Sequence, residues 1–255
     1  MKNNQDISQY IKFHCKKNSK KTAIVFEDKK ISYEKLEQHV SSLSISFHNL
    51  GISKGDRLAV VLSNSLEFIY ILFAAARIGA IVVPYNLSLP PNVLKKNFLE
   101  KKINFLVGWH KSIQEIFKVP NIEKIIKKKN TIIVGKNIKK FNYFDDLLKI
   151  NKNTKINKTD EKFINESFLI ALTSGSTGNP KPIVLTQKTK LLRSLFTKKI
   201  YGLNSNSIII TGTPLYHTLA QRLVLMSIII GGTVVVMPGF SNIKWVNEVI
   251  KNKVT

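Results

Sequence analysis

Cysteine, carboxylates and uninterrupted apolar runs are what this chain has little of, and each shortage excludes something. One cysteine, Cys15, among 255 residues permits no internal disulfide, and no Cys or His partners flank it at metal-ligand spacing. Asp and Glu number 16 against 40 Lys and Arg, a formal net charge of +24. Such a balance ordinarily raises nucleic acid or an anionic membrane as a partner. Here the lysines are scattered among Asn and Ile, and the runs at 127–129 and 139–140 are short. We read a solvated lysine surface and expect no specific nucleic acid. Residues 1–14 hold no apolar core followed by small residues, which argues against a secretory signal. Two apolar segments are long enough to test as membrane spans. Residues 66–83 carry Glu67 and Arg77, and an arginine near mid-span costs about 2.5–3.5 kcal/mol. Residues 223–237 are shorter and split by Gly231 and Gly232. Both are expected in a core, with no transmembrane segment and a cytoplasmic location. The oligomeric state stays open.

What is present is a globular composition, 44% hydrophobic and 9% aromatic, arranged as alternating strands and helices. Helices are expected at 7–15, from Tyr33 to about 50 with Ser32 as N-cap and Gly51 closing it, and at 65–78 with Asn64 as cap. Further helices are expected at 91–100, 112–119, 143–148, 186–200, within 214–226, and at 242–251. Strands are expected at 21–26, 58–62, 80–84, 103–107, 122–126, 131–134, 168–172, 207–211 and 233–237. Strand–helix–strand units with near-continuous apolar strands imply an α/β fold with mainly parallel sheets. Residues 151–165 are polar, lysine-rich and without apolar period. We take them as a linker between an N-terminal α/β subdomain, 1–150, and a second, 166–255. The last residues, Val254 and Thr255, read as the start of another strand, so the second subdomain looks truncated.

The most specific stretch lies just after the apolar run 168–172. Thr173, Ser174, Gly175, Ser176, Thr177 and Gly178 open a loop that Asn179, Pro180, Lys181 and Pro182 close. Glycines let backbone N–H groups turn inward, the hydroxyls add donors, and a lysine stands beside them: a set suited to phosphate oxygens. A Walker A loop is excluded, because Pro180 and Pro182 occupy its second-glycine and hydroxyl positions. The dinucleotide fingerprint is excluded because its first glycine is missing and no helix starts cleanly on Pro180 and Pro182.

The run TSGSTGNPKP resembles the phosphate-binding signature of the adenylate-forming superfamily, which includes acyl-CoA synthetases, aryl-CoA ligases and adenylation domains. Pro182 stands where that family commonly has glycine. ISYEKLEQHV and HNLGISKGDRLAVVLSN follow the family's front portion, and TPLYHTLAQRL, residues 213–223, resembles its next signature. The resemblance implies that Thr173, Ser174, Gly175, Ser176, Thr177, Gly178 and Lys181 hold the phosphates of ATP. It also implies that Tyr216 and His217 border the pocket of a small-molecule carboxylate. The implied chemistry is acyl-adenylate formation followed by thioester formation with CoA, with Mg²⁺ assisting, in acyl-CoA and fatty acid metabolism. An amino-acid adenylation domain, a non-catalytic nucleotide-binding remnant and, third, a basic nucleic-acid binder are the alternatives. The family's later motifs, Tyr-Gly-x-Thr-Glu and Thr-Gly-Asp, do not occur: Tyr201-Gly202 continues as Leu203, and Thr211-Gly212 as Thr213. No catalytic residue and no metal ligand are therefore assigned, and the chain is expected to be a catalytically incomplete N-terminal portion.

Overall fold

The computed structural model describes residues 6–149, 163–172 and 182–255. In chain order the elements are α1 (Gln9–Lys17), β1 (Thr22–Phe26), β2 (Lys29–Ser32), α2 (Tyr33–Asn49), β3 (Arg57–Val61), α3 (Leu66–Ile78) and β4 (Ile81–Pro84). There follow α4 (Pro91–Glu100), β5 (Phe105–Trp109), α5 (His110–Phe117), β6 (Thr131–Val134), β7 (Asn142–Tyr143) and α6 (Phe144–Leu147). The rest are β8 (Ser167–Leu172), β9 (Pro182–Thr186), α7 (Gln187–Ile200), β10 (Ile208–Thr211), α8 (Thr218–Ile230), β11 (Thr233–Val236) and α9 (Asn242–Asn252).

Among the described residues the strands form two sheets. One is seven-stranded in the order β7-β6-β5-β3-β4-β8-β9, parallel except for the β8–β9 pair. The other is β10-β11-β1-β2, parallel except for the β1–β2 hairpin. Each sheet takes strands from both sides of the 151–165 stretch.

Period-two alternation explains the layering. Leu58 and Val60 face a core shared with α2, α3, α8 and the inner face of the smaller sheet, through Ile24, Val234 and Val236. Ala59 and Val61 face the opposite side, against Leu94 and Phe98 of α4 and Ile113 and Ile116 of α5. Val25, Ile210 and Val235 point outward from the smaller sheet towards Trp245 and Val249 of α9. The order of layers is thus α/β/α/β/α, and both faces of each sheet are covered, as parallel strands require.

α3 lies in the middle layer and is apolar on every side, with all but Glu67 and Arg77 buried. A helix of that kind must sit in a protein core or a bilayer, and no helix among the described residues is long and apolar enough to cross a membrane. Arg77 is neutralised inside the core. Its guanidinium donates to both Glu37 carboxylate oxygens at 3.0 and 2.8 Å, and to Ser41 and Ser8.

Several expectations need correction. Asn64 does not cap α3. Ser65 does, its hydroxyl accepting from the Phe68 amide at 3.2 Å. Residues 122–126 form no strand. Asn121 takes a left-handed φ of 60°, a short 3₁₀ turn follows, and Ile122 and Ile126 fill the core from it. The apolar content was right for burial, and the left-handed turn overrode the β propensity. β5 starts two residues later than expected and α5 two residues earlier, since Trp109 leads straight into the helix. By contrast Ser32 caps α2 through the Lys35 amide, and Gly51 has the left-handed φ of 83° that ends it. Thr255 lies along β10, its amide donating to the Ile208 carbonyl at 3.0 Å.

Candidate functional site

Parallel strands end together, so the carboxyl ends of β3, β4 and β8 share one edge of the large sheet, and those of β10 and β11 one edge of the small sheet. Such edges are where open α/β sheets bind ligands. Asn64, which follows β3, joins the two edges. Its side-chain amide donates to the Thr213 carbonyl at 3.0 Å and the Met237 carbonyl at 2.9 Å, while its Oδ1 accepts from the Leu215 amide at 2.6 Å. Asn64 is 4% exposed, so these bonds are made out of water, where loss of a partner costs most.

The segment from Thr213 to His217 is therefore fixed at its start. A second set of bonds fixes it from behind. Gln221, one turn into α8, donates from Nε2 to the Leu215 carbonyl at 2.8 Å, and its Oε1 accepts from Lys190 Nζ at 3.0 Å. Both Gln221 and Lys190 are buried. Burial, then the nearby charges of Arg193 and Arg222, lower the Lys190 ammonium to about 7. Tyr216 and His217 emerge from this support. Their rings meet at 4.3 Å between centroids, Tyr216 half-buried and His217 exposed. His217 is the N-cap residue of α8 by its backbone and spends no side-chain hydrogen bond on capping. His217 follows by two residues Leu215, which Asn64 and Gln221 hold.

The predicted phosphate loop, Thr173, Ser174, Gly175, Ser176, Thr177, Gly178 and Lys181, lies outside the described residues. Its two flanks do not. Leu172 ends β8 and pairs antiparallel with Pro182, the first residue of β9. The chain leaves the sheet there at the same edge as Asn64, since β8 lies beside β4 and β4 beside β3. Successive strands lie about 4.8 Å apart, which puts the β8 end roughly 10 Å from the β3 end. The Thr211 and Tyr85 hydroxyls, at the ends of β10 and β4, are buried without a hydrogen-bond partner among the described residues. Among those residues no three His, Cys, Asp or Glu side chains converge.

The motif marks Tyr216 and His217 as candidates and does not mark the three residues that hold their segment. By sequence Asn64 reads as a cap, and Gln221 and Lys190 as ordinary helix residues. One signal was available. Gln187, Lys190, Leu191 and Ser194 recur at helical spacing on the buried face of α7, so a lysine occupied a position the period reserves for the interior.

Comparison with known proteins identifies the family. An acyl-CoA ligase of Ajellomyces capsulatus is 28% identical over 246 residues, which cover 91% of this chain and 42% of that protein. A 2-succinylbenzoate–CoA ligase of Oceanobacillus iheyensis is 26% identical, covering 92% of this chain and 45% of its own length. The chain thus spans a little under half of these relatives. Among solved structures, a long-chain-fatty-acid–CoA ligase of Archaeoglobus fulgidus superposes with a TM-score of 0.86 at 22% identity, over 99% of this chain and 51% of that one. The O-succinylbenzoate coenzyme A synthetase of Bacillus subtilis, solved with AMP, gives 0.80 at 20% identity over 96% and 60%. The family model described as AMP-binding enzyme matches residues 11–255. The chain belongs to the AMP-binding enzyme family and corresponds to its N-terminal portion.

Proposed function

We propose that this chain is the ATP-handling portion of an AMP-forming acid–CoA ligase. In that reaction a carboxylate oxygen attacks the α-phosphorus of ATP, pyrophosphate leaves, and the acyl-adenylate passes its acyl group to the thiol of CoA with release of AMP. The chain's own share is to bind and position. The hydroxyls of Thr173, Ser174, Ser176 and Thr177 and the amides of Gly175 and Gly178 donate to the β- and γ-phosphates, and Lys181 adds positive potential. Tyr216 and His217 border the carboxylate. Holding the reactants in a fixed relation supplies much of the rate in such transfers. The observation that carries the reading is Asn64. One buried amide ties the edge from which the loop departs to the segment that presents His217.

The test is a direct titration of the chain with ATP. Wild type should bind, and Ser174→Ala with Thr177→Ala should weaken binding at least tenfold, given about 1.5–3 kcal/mol for each hydrogen bond to a charged group. No ATP binding by the folded chain, or equal binding by the folded double variant, would remove the reading.

A further inference from the structure

A cavity of about 460 Å³ opens at the other end of the smaller sheet, where β10 and β11 begin rather than end. It lies between the C-terminal end of α1, the start of α2, the C-terminal end of α8 and the 204–206 segment before β10. Its volume is within the range of about 300–1,000 Å³ typical of small-molecule sites. Its chemistry is one-sided. Lys17, Lys21, Lys198 and His14 line it, and no carboxylate does. Elsewhere on the surface Lys54, Lys118, Lys149 and Lys251 each pair with a carboxylate. Among the described residues Lys17 and Lys198 have no hydrogen-bond or ion-pair partner.

The groups perturb one another accordingly. Burial first, then the Lys17 charge, pulls Lys21 below the usual ammonium range. Burial, then Lys21 and Lys17, holds His14 below the usual imidazole range, against the opposing effect of its bond to the Ile229 carbonyl. Helix C-termini could have explained lysines gathered here, because their carbonyls attract cations. Those carbonyls are largely taken. Ile229 O accepts from His14, Lys198 O from the Leu203 amide, and Thr197 O from the Tyr201 amide. The floor is also rigid. Tyr33 donates its hydroxyl to the Gly232 carbonyl at 2.8 Å, and Gly231, at φ 79°, lets the His14 ring approach to where a Cβ would stand only 2.6 Å away. Lys21 Nζ bonds the Ser205 carbonyl and ties α1's exit to the 204–206 segment.

We propose that this cavity binds a small molecule carrying two or more phosphate groups. Three ammonium groups around one volume match the charge of a pyrophosphate-like anion, and the fixed floor removes part of the ordering cost of binding. The site is separate from the strand-end face and does not depend on the reading of the loop. It is tested by calorimetric titration of the full chain with inorganic pyrophosphate near neutral pH. Binding is expected, with the Lys17→Met/Lys21→Met/Lys198→Met triple weakening it at least about tenfold through lost charge-assisted bonds. Lys198→Met alone, at an exposed helix end, should also weaken it and guards against misfolding of the triple. Ser174→Ala with Thr177→Ala should leave this binding event in place. Pyrophosphate should raise the midpoint of the His14 imidazole titration followed by NMR. Three outcomes overturn the proposal: no pyrophosphate binding by wild type, binding indifferent to the three lysines, or loss only in the loop variant. So does a single-stranded oligonucleotide that outcompetes pyrophosphate at the same lysines, which would make the surface a nucleic-acid one.

Discussion

Arg77 on α3 and Lys190 on α7 both lie inside the fold, and the chain holds them in opposite ways. Arg77 meets a carboxylate edge-on. Its fork spans both oxygens of Glu37, two serines take further donors, and the pair binds α2 to α3 with side chains 8% and 16% exposed. Lys190 is 1% exposed, and its ammonium donates to the neutral oxygen of Gln221. A guanidinium stays charged wherever it sits, so its burial demands a matching anion. An ammonium can give up its proton, and burial, then the charges of Arg193 and Arg222, bring Lys190 down to about 7. The first arrangement is structural cement. The second stands behind the His217 segment with a charge that changes near neutral pH.

The sharpest way to break the contrast is Glu37→Ala. It leaves the Arg77 guanidinium buried without its anion and should cost about 3–5 kcal/mol in urea unfolding. Replacing both partners by methionine should recover most of the loss, because an apolar pair carries no uncompensated charge. A single-variant loss under about 1 kcal/mol would show that Arg77 reaches water.

Lys190→Met should act in the opposite sense. The unfolded lysine titrates near its ordinary 10.5 and the folded one near 7. Between those values the unfolded chain binds more protons, so wild-type stability rises with pH by up to about 1.4 kcal/mol per unit. Below pH 7 both forms are protonated and the full cost of burying the charge is present. The methionine variant should therefore be more stable by a few kcal/mol at neutral and acidic pH, with the gap closing towards pH 10. Parallel stability profiles for the two proteins over that window would mean that the Lys190 ammonium is solvated. Gln221→Leu should lie next in size. It strips Lys190 of its acceptor and the Leu215 carbonyl of its donor, a loss of about 1–3 kcal/mol by thermal or denaturant unfolding. His217→Ala should change stability by no more than about 0.5 kcal/mol, since the ring is exposed and caps nothing with its side chain. A larger thermal shift would make His217 a structural residue.

The same division runs through what could be read in advance. Tyr33–Asn49 was legible because its apolar residues keep the helical period, a serine precedes it and a glycine follows it. Pro91–Glu100 and Thr131–Val134 were legible to the residue. These signals are local, carried by neighbours within a turn or a strand. The 122–126 segment failed because burial and strand formation leave the same apolar mark, and only the left-handed Asn121 separates them. Asn64 failed for a different reason. A side chain of its type just before a helix is a good cap by local rules, yet its partners are Thr213, Leu215 and Met237, about 150 to 173 positions away.

By itself the sequence determined the α/β class and the place of Tyr216 and His217 just ahead of a helix, because periodicity, caps and motif spacing are properties of short stretches. Only the tertiary structure decided that the carboxyl ends of β3, β10 and β11 meet, that Asn64 joins them, and that Lys190 and Gln221 stand behind the meeting point. It alone brought Lys198 to Lys17 and Lys21 around one cavity, since residues that far apart in the chain become neighbours only when two sheets pack around a shared layer of helices. A charge scattered in sequence says nothing of its neighbours in space, and the energy of a charge is set by those neighbours.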